Sequence, residues 1–231
     1  MVSCGILYVG AKIPTNFPTW KSLISSIGSL GLASVAISII WEFFQKRGFT
    51  QELLEYFHLS ENLHESGIEK MSYRFDEVDW KLLFDNCLRF DLFITYGRSW
   101  RGTNETRLIE IAKRTGAIVR IVLPDPENGD LVKQFATRYR KSQPEIKGLI
   151  EEAIKDFKKF MGGREASFEL KVTDRPPTNT YYRFNDRMLV TLYNYNDEKG
   201  NIPVFLLKKG GRMTDFFEFE FEYLWKTGIP K

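Results

Sequence analysis

The sequence predicts an α/β/α sandwich with a mixed sheet, preceded by one transmembrane helix. Three observations carry that expectation. Residues 22–41, SLISSIGSLGLASVAISIIW, run for twenty positions without a charge. Beyond residue 70, short apolar runs alternate with helical patterns in the order α-β-α-β-α-α-β-β-β-β-α. The two apolar runs at 91–97 and 117–125 enclose a helical segment with short connections, a β-α-β pattern that implies a parallel pair.

The uncharged run comes first. As a helix it spans about 30 Å, the thickness of bilayer hydrocarbon. Lys21 precedes it, Glu42 follows it, and Trp20 and Trp41 bracket it where interfacial indoles sit well. Six serines dilute it, and a buried helix in an assembly has a similar pattern. Ser25, Ser29 and Ala33 recur every four residues, a spacing of small side chains that lets helices approach closely. The expected organisation is a short N-terminal segment at 1–20, a transmembrane helix at 21–44, a membrane-proximal helical stalk at 45–69 and a soluble domain at 70–231. The first ten residues are apolar and suit a short strand or an interfacial segment, and Pro14 and Pro18 break any helix before the anchor. Gly48 is expected to bend the stalk.

Charge supports the same placement. Four of the 33 basic residues (Lys12, Lys21, Lys46, Arg47) and one of the 30 acids (Glu42) precede Gly48, leaving 29 of each beyond it. The positive surplus suits anionic head groups, not a long nucleic-acid track, so direct nucleic-acid binding is not expected. A single-pass location in the cell membrane follows, with the domain on the cytoplasmic side, because the short tail is easier to translocate. Cys4 and Cys87 have no metal or redox spacing, and Cys87 reads as a small core residue on a helix. His58 and His64 make no metal site. No cofactor and no metal are expected.

Each domain element has its own signal. DEVDWKLLFDNCLRF reads as a helix with Asp76 as a plausible cap. DLFITYG (91–97) is a buried strand. The helix over 104–115 turns Leu108, Ile111 and Ala112 inward and ends at Gly116. AIVRIVLPD (117–125) is the next strand, with Asp125 capping a turn between Pro124 and Pro126. Helices follow at 131–142 and at 144–161, the latter with Pro144 in its first turn. Strands at 167–174, 181–184, 187–193 and 203–209 come next, the middle two joined by a turn at Asn185-Asp186. The closing helix, 214–226, has Thr214 as a possible cap and alternates phenylalanine with glutamate. Rings then lie on nearly all its sides, one packing on the sheet and another available to a second protein.

These pieces, in order, carry a likeness. Phe93–Gly97, the turn at Lys113–Gly116, Val119–Pro126, Tyr182–Leu192, Pro203–Leu207 and Phe217–Trp225 resemble a single phospholipase-D-like domain over roughly residues 70–228. The nearest pattern is that of degenerate, membrane-anchored prokaryotic members. The family's signature is a His, any residue, a Lys, four more residues and an Asp, then a Gly-Ser-any-Asn string. With Asp186 at the Asp position, Asn179 falls on the His, Tyr181 on the Lys, Tyr193 and Asn194 on the Gly and Ser, and Asn196 on the last Asn. An amide cannot act as the nucleophile that attacks phosphorus, so the resemblance implies a domain without phosphodiester hydrolysis and with no catalytic residues.

An anion-binding shell remains to be weighed. Arg98 and Arg101 sit in GRSWRGTN with Thr103 and Asn104, after the first central strand, where open α/β sheets place ligands. That loop is expected to lead into a helix N-terminus that favours an anion. Arg183 and Arg187 lie beside Asp186. Arg98, Arg101, Thr103, Asn104, Arg183, Asp186, Arg187 and Asn196 are therefore the candidate ligand set, and a solvated loop is the bland alternative. Trp20, Lys21, Ser25, Ser29, Ala33, Trp41, Lys46 and Arg47 are the candidate membrane set. The expected function is that of a non-enzymatic, membrane-anchored effector or sensor that oligomerises and binds a partner or a phosphate-bearing ligand. The resemblance extends this to prokaryotic defence or stress signalling, to a homodimer or larger assembly, and to a partner carrying a nucleic-acid sensor. The alternatives are a tethered phosphodiesterase or nuclease with an atypical site, and a structural scaffold.

Overall fold

A computed structural model describes residues 18–193 and 202–231, with no account of the side chains at 18–21, 24, 25 and 43–60. The chain divides into two units after Glu61. Helix α1, Pro18–Ser66, runs 49 residues without a break and supplies the described part of the first unit. Pro18, expected to stop a helix, instead opens this one, since its missing N–H and fixed φ suit a first helical position. The helix ends at Ser66.

The predicted transmembrane helix at 21–44, and with it the cell-membrane location, is overturned. Among the described residues no helix is long and apolar enough to cross a membrane. The uncharged run carries hydroxyls along its length: Ser29, Ser34 and Ser38 each donate to the carbonyl of a residue three or four positions back, at 2.9 Å. The expected anchors Trp20, Lys21, Ser25, Lys46 and Arg47 lie within α1, where their side chains are not described. The expected strand or interfacial segment at 1–10 lies outside the described residues.

The second unit is built on one mixed sheet of eight strands. They are β1 (Ile68–Ser72), β2 (Arg89–Phe93), β3 (Ile118–Pro124), β4 (Ser167–Thr173), β5 (Asn179–Phe184), β6 (Arg187–Leu192), β7 (Val204–Lys208) and β8 (Ile229–Pro230). Their spatial order is β1-β7-β6-β5-β2-β3-β4-β8. The pairs β2–β3 and β3–β4 are parallel, as the β-α-β pattern required, and the remaining pairs are antiparallel. The helices are α2 (Trp80–Phe84), α3 (Arg98–Ala112), α4 (Gly129–Tyr139), α5 (Gln143–Met161) and α6 (Arg212–Thr227).

Strand alternation sorts the core into two faces. Phe90, Leu92, Val119, Ile121, Tyr182 and Phe184 pack against Leu83 and Phe84 of α2, Trp100, Leu108 and Ile111 of α3, and Phe157 of α5. Phe93, Val122, Tyr181, Met188 and Val190 pack against Phe221 and Leu224 of α6. A third cluster joins α4 to α5 through Leu131, Phe135, Ile146 and Ile150. Two boundaries differ from expectation. The helix expected at 76–90 is a 3₁₀ turn at Phe75–Glu77 and the five-residue α2, because Arg89 and Phe90 belong to β2. Cys87 accordingly sits in the turn before β2, where burial pushes its thiol up to about 12. The strands β1 and β8 carried no readable alternation.

Under α6 part of the sheet face holds ions beside this hydrocarbon. Asp91 of β2 is fully buried. In register it lies opposite Arg120 of β3 on one side and Arg183 of β5 on the other. Arg120 grips it with two bonds, Nε to Oδ1 at 2.7 Å and Nη2 to Oδ2 at 2.8 Å. Arg89 donates from Nε to Oδ2 at 3.2 Å. The roof is two glutamates one turn apart on α6: Glu222 pairs with Arg120 and Arg89, and Glu218 with Arg183. The Arg120 guanidinium also lies over the rings of Phe221 and Trp225, at 4.9 and 5.1 Å. Three arginines thus meet three carboxylates. Asp91→Ala is expected to lower the unfolding free energy by about 3–5 kcal/mol, since it leaves buried guanidinium charge uncompensated. The measurement is the urea midpoint; no movement beyond that of an exposed Asp85→Ala control refutes the assignment.

The same cluster sets a pH dependence. The hydrogen bond from Arg120 holds the Glu222 carboxyl below its ordinary value of 4.5, against the opposing effect of burial. A depressed folded-state value means that its stabilisation is complete above the unfolded value and disappears as pH falls through the folded one. Glu222→Gln is therefore expected to flatten the stability profile below about pH 5, with little change in slope above it, as read by urea titrations at stepped pH.

Candidate functional site

The C-terminal ends of β2, β3 and β4 are the place to look for a ligand, because parallel strands leave a crevice there. The segment after β2 differs from the expected loop: GRSWRGTN is the start of α3. Gly97 is its N-cap, in the left-handed region at φ 53°, and a Cβ there would lie 2.4 Å from Ile94 Cδ1. Only glycine makes this turn without strain. No side chain caps the helix, and its first turn contains no acid. The N–H of Arg101 bonds the Gly97 carbonyl at 2.8 Å. The N–H groups of Arg98, Ser99 and Trp100, which precede the first intrahelical bond, carry the positive end of the helix dipole.

These donors border a cleft of about 310 Å³ whose walls include Phe75, Tyr96, Trp100, Thr180, Tyr182 and Tyr193. Trp100 is 6 % exposed, and its indole N–H is buried without a hydrogen-bond partner. Beneath lies a hydroxyl cluster. Thr180 donates to the Tyr193 hydroxyl at 3.0 Å, and Thr95 shares hydrogen bonds with Tyr193 at 3.0 Å and Tyr139 at 3.3 Å. Burial raises Tyr139, Tyr193 and Tyr96 above the ordinary phenol value. These phenols stay neutral donors, compatible with an anion nearby.

The expected ligand residues do not converge. Arg98 lies at the cleft, exposed, 3.3 Å from Glu152 of α5. Arg101 points away from solvent. It is 1 % exposed, pairs with Asp156, and donates from Nε to the Tyr96 carbonyl at 2.8 Å. Burial draws its pKa down against the pull of Asp156, but a guanidinium remains charged. Thr103 bonds back to the Ser99 carbonyl, and buried Asn104 donates to the Trp100 carbonyl. Arg101, Thr103 and Asn104 therefore shape the start of α3; Arg101 keeps one nitrogen, Nη2, buried without a hydrogen bond, 3.9 Å from Glu152.

Arg183, Asp186 and Arg187 belong to the opposite end of β5. Arg183 is committed to Glu218 and the Asp91 cluster, and Arg187 bonds Glu69 at 3.0 Å. Asp186 is exposed in the β5–β6 turn. That turn was correctly placed in the sequence: Asn185, at φ 55°, accepts from the N–H of Leu88 and Arg89 with its side-chain oxygen. Asn196 lies outside the described residues. Asp125 accepts from the N–H of Glu127 at 3.2 Å, a turn role, and no metal-ligand cluster occurs among the described residues.

The positions aligned with a nucleophile and its lysine, Asn179 and Tyr181, share a second cleft with Arg175, Thr178, Phe217 and Glu220. The Tyr181 hydroxyl is buried without a partner, and burial raises its pKa. That is the wrong direction for an attacking oxygen. What the sequence did not reveal is Trp100 as a donor. The only available sign was a tryptophan in the first turn after a strand-ending glycine.

Comparison with known proteins adds little. No family model and no curated protein matches the chain. Among solved structures, TrmBL2, an archaeal chromatin protein whose structure shows a mode of DNA binding, is 16 % identical with a TM-score of 0.45, covering 87 % of this chain and 68 % of its own. NUC, a phospholipase D family member from Salmonella typhimurium, is 12 % identical with a TM-score of 0.40, covering 70 % of this chain and 96 % of its own. Similarities this low bear on neither family nor function.

Arg101→Met is expected to destabilise the domain by about 1–2 kcal/mol, because the Tyr96 carbonyl loses its donor and the partly exposed Asp156 its partner. Thermal unfolding reads this. An exposed-residue effect, within about 0.5 kcal/mol of wild type, contradicts the positioning role.

Proposed function

We propose that the chain is a non-enzymatic binding module whose domain takes up a small phosphate- or carboxylate-bearing molecule at the start of α3. The observation that carries this reading is the Trp100 indole N–H, buried and unpartnered beside an uncapped helix N-terminus. A buried donor without an acceptor costs about 1–3 kcal/mol, and an anion seated on the first turn would satisfy it. The ring-lined walls leave room for the body of a small molecule, at the lower end of ligand-site volumes. The non-enzymatic part rests on the residues themselves. An amide and a high-pKa phenol occupy the two positions where the resembled family needs His and Lys, and both histidines of the chain, His58 and His64, precede β1.

The test uses inorganic phosphate as the probe. Phosphate is expected to raise the thermal midpoint of the full chain above that in sodium chloride of equal ionic strength, by RT ln(1 + [L]/Kd), or about 2.7 kcal/mol at a hundredfold excess over Kd. Trp100→Phe removes the indole donor, and Arg98→Pro removes one backbone N–H at the first helical position, where proline is tolerated. Each is expected to weaken phosphate binding by about tenfold, a loss near 1.4 kcal/mol. A wild-type midpoint that does not distinguish phosphate from chloride overturns the proposal, as does a phosphate effect that both variants retain in full.

A further inference from the structure

We infer that residues 22–41 of α1 form a self-association surface, and that its occupant is the same segment of a second copy of this chain. The stretch is outward-facing: Leu30 is 72 % exposed and Trp41 66 %. Along it, Leu23, Ile27, Leu30, Ser34, Ile37 and Trp41 recur at intervals of four, three, four, three and four residues. That alternation is a 3.5-residue repeat, the spacing that keeps one stripe of a helix against a partner helix in a coiled coil. Leu32, Val35, Ile39 and Ile40 are exposed on other sides of the helix, but they do not continue such a repeat along the whole stretch.

The composition points to a like partner. No charged residue stands between Ser22 and Trp41, so the flanks of the seam lack the charges by which unlike helices select one another. A seam that is apolar, uncharged and regular is complementary to itself. Ser34 interrupts it at mid-length without penalty, because its hydroxyl already donates to the Leu30 carbonyl at 2.9 Å and leaves no unsatisfied donor when covered.

The size is also adequate. Five large apolar side chains per helix, each more than half exposed, bring on the order of 1,000 Å² to a pair, close to the range of stable interfaces. At about 500 Å² per copy the patch matches the largest that a monomer ordinarily exposes, a size that often marks an interaction site. The inference is independent of the anion cleft, which belongs to the other unit.

The experiment is sedimentation equilibrium of the full chain across a dilution series, with three proteins. Wild type is expected to show a mass of two or more copies that dissociates on dilution. Leu30→Glu with Ile37→Glu, both on the seam, is expected to weaken association by at least about a hundredfold. Leu32→Gln with Ile39→Gln, on the opposite side of the same helix, is expected to leave it within about threefold. Far-UV circular dichroism checks that helix content is kept in both. A wild type that stays monomeric throughout overturns the inference whatever the variants do. So does equal weakening by the two double substitutions, or a mass accounted for by a different molecule bound to a single copy.

Discussion

The fold of the second unit turns on one buried carboxylate. Asp91 sits in the middle of β2 with no exposure to water, and an ionised carboxylate there is tolerable only if its partners arrive in fixed positions. They do so by register: Arg120 and Arg183 are its cross-strand neighbours on β3 and β5. A one-residue slip of either strand would send its arginine to the hydrophobic face and bring an apolar residue opposite Asp91. The ion cluster thus specifies both the parallel β2–β3 pairing and the antiparallel β2–β5 pairing. Replacing such a group with hydrocarbon often stabilises a protein; in this sheet its effect is to discriminate among registers.

The same interaction places α6. Its Glu218 and Glu222 lie one turn apart and meet the arginines, while Phe221 and Leu224 pack beside them. The ions cover the first half of β2, from Arg89 to Asp91, and the hydrophobic contacts of α6 extend to Phe93, where it ends. Beyond that end lies the cleft at α3. The two sets of arginines follow different logic. Arg120 and Arg183 neutralise the protein's own acids, and so does Arg101 with Asp156. The donors at the start of α3 are instead backbone N–H groups, which need no internal counter-charge.

This distinction explains how much of the molecule was legible. Strand and helix existence was readable wherever an apolar period was long, as at 118–124, 143–161 and 187–192. The turn at Asn185-Asp186 was readable because asparagine tolerates the left-handed region. The phenylalanine–glutamate alternation of α6 was ambiguous, since a period of two suggests a strand; its meaning lies in cross-element ion pairs that no local pattern encodes. The start of α3 read as a polar loop because arginine, serine, threonine and asparagine dominate it. In the folded chain Arg101 and Asn104 turn inward and Thr103 bonds back along the helix, while Arg98 stays exposed. Arginines near strands suggested a ligand shell, but Arg98 begins α3 beyond the C-terminal end of β2 while Arg183 lies opposite Asp91, and proximity to a strand does not say which end.

The uncharged run of α1 shows the same limit from the other side. Freedom from charge alone matched a membrane span, a buried helix and an interhelical seam, because all three exclude charge over twenty residues. What separates them is the angular distribution of the side chains and the state of the polar ones among them. Serines that bond back to their own helix lose most of their cost of burial against another helix, so their number is a poor guide to what can cover the segment. The spacing of the large side chains is a better one. It is a geometric property that only a helix of matching repeat can meet along its whole length, and a second copy of the chain has that repeat by construction.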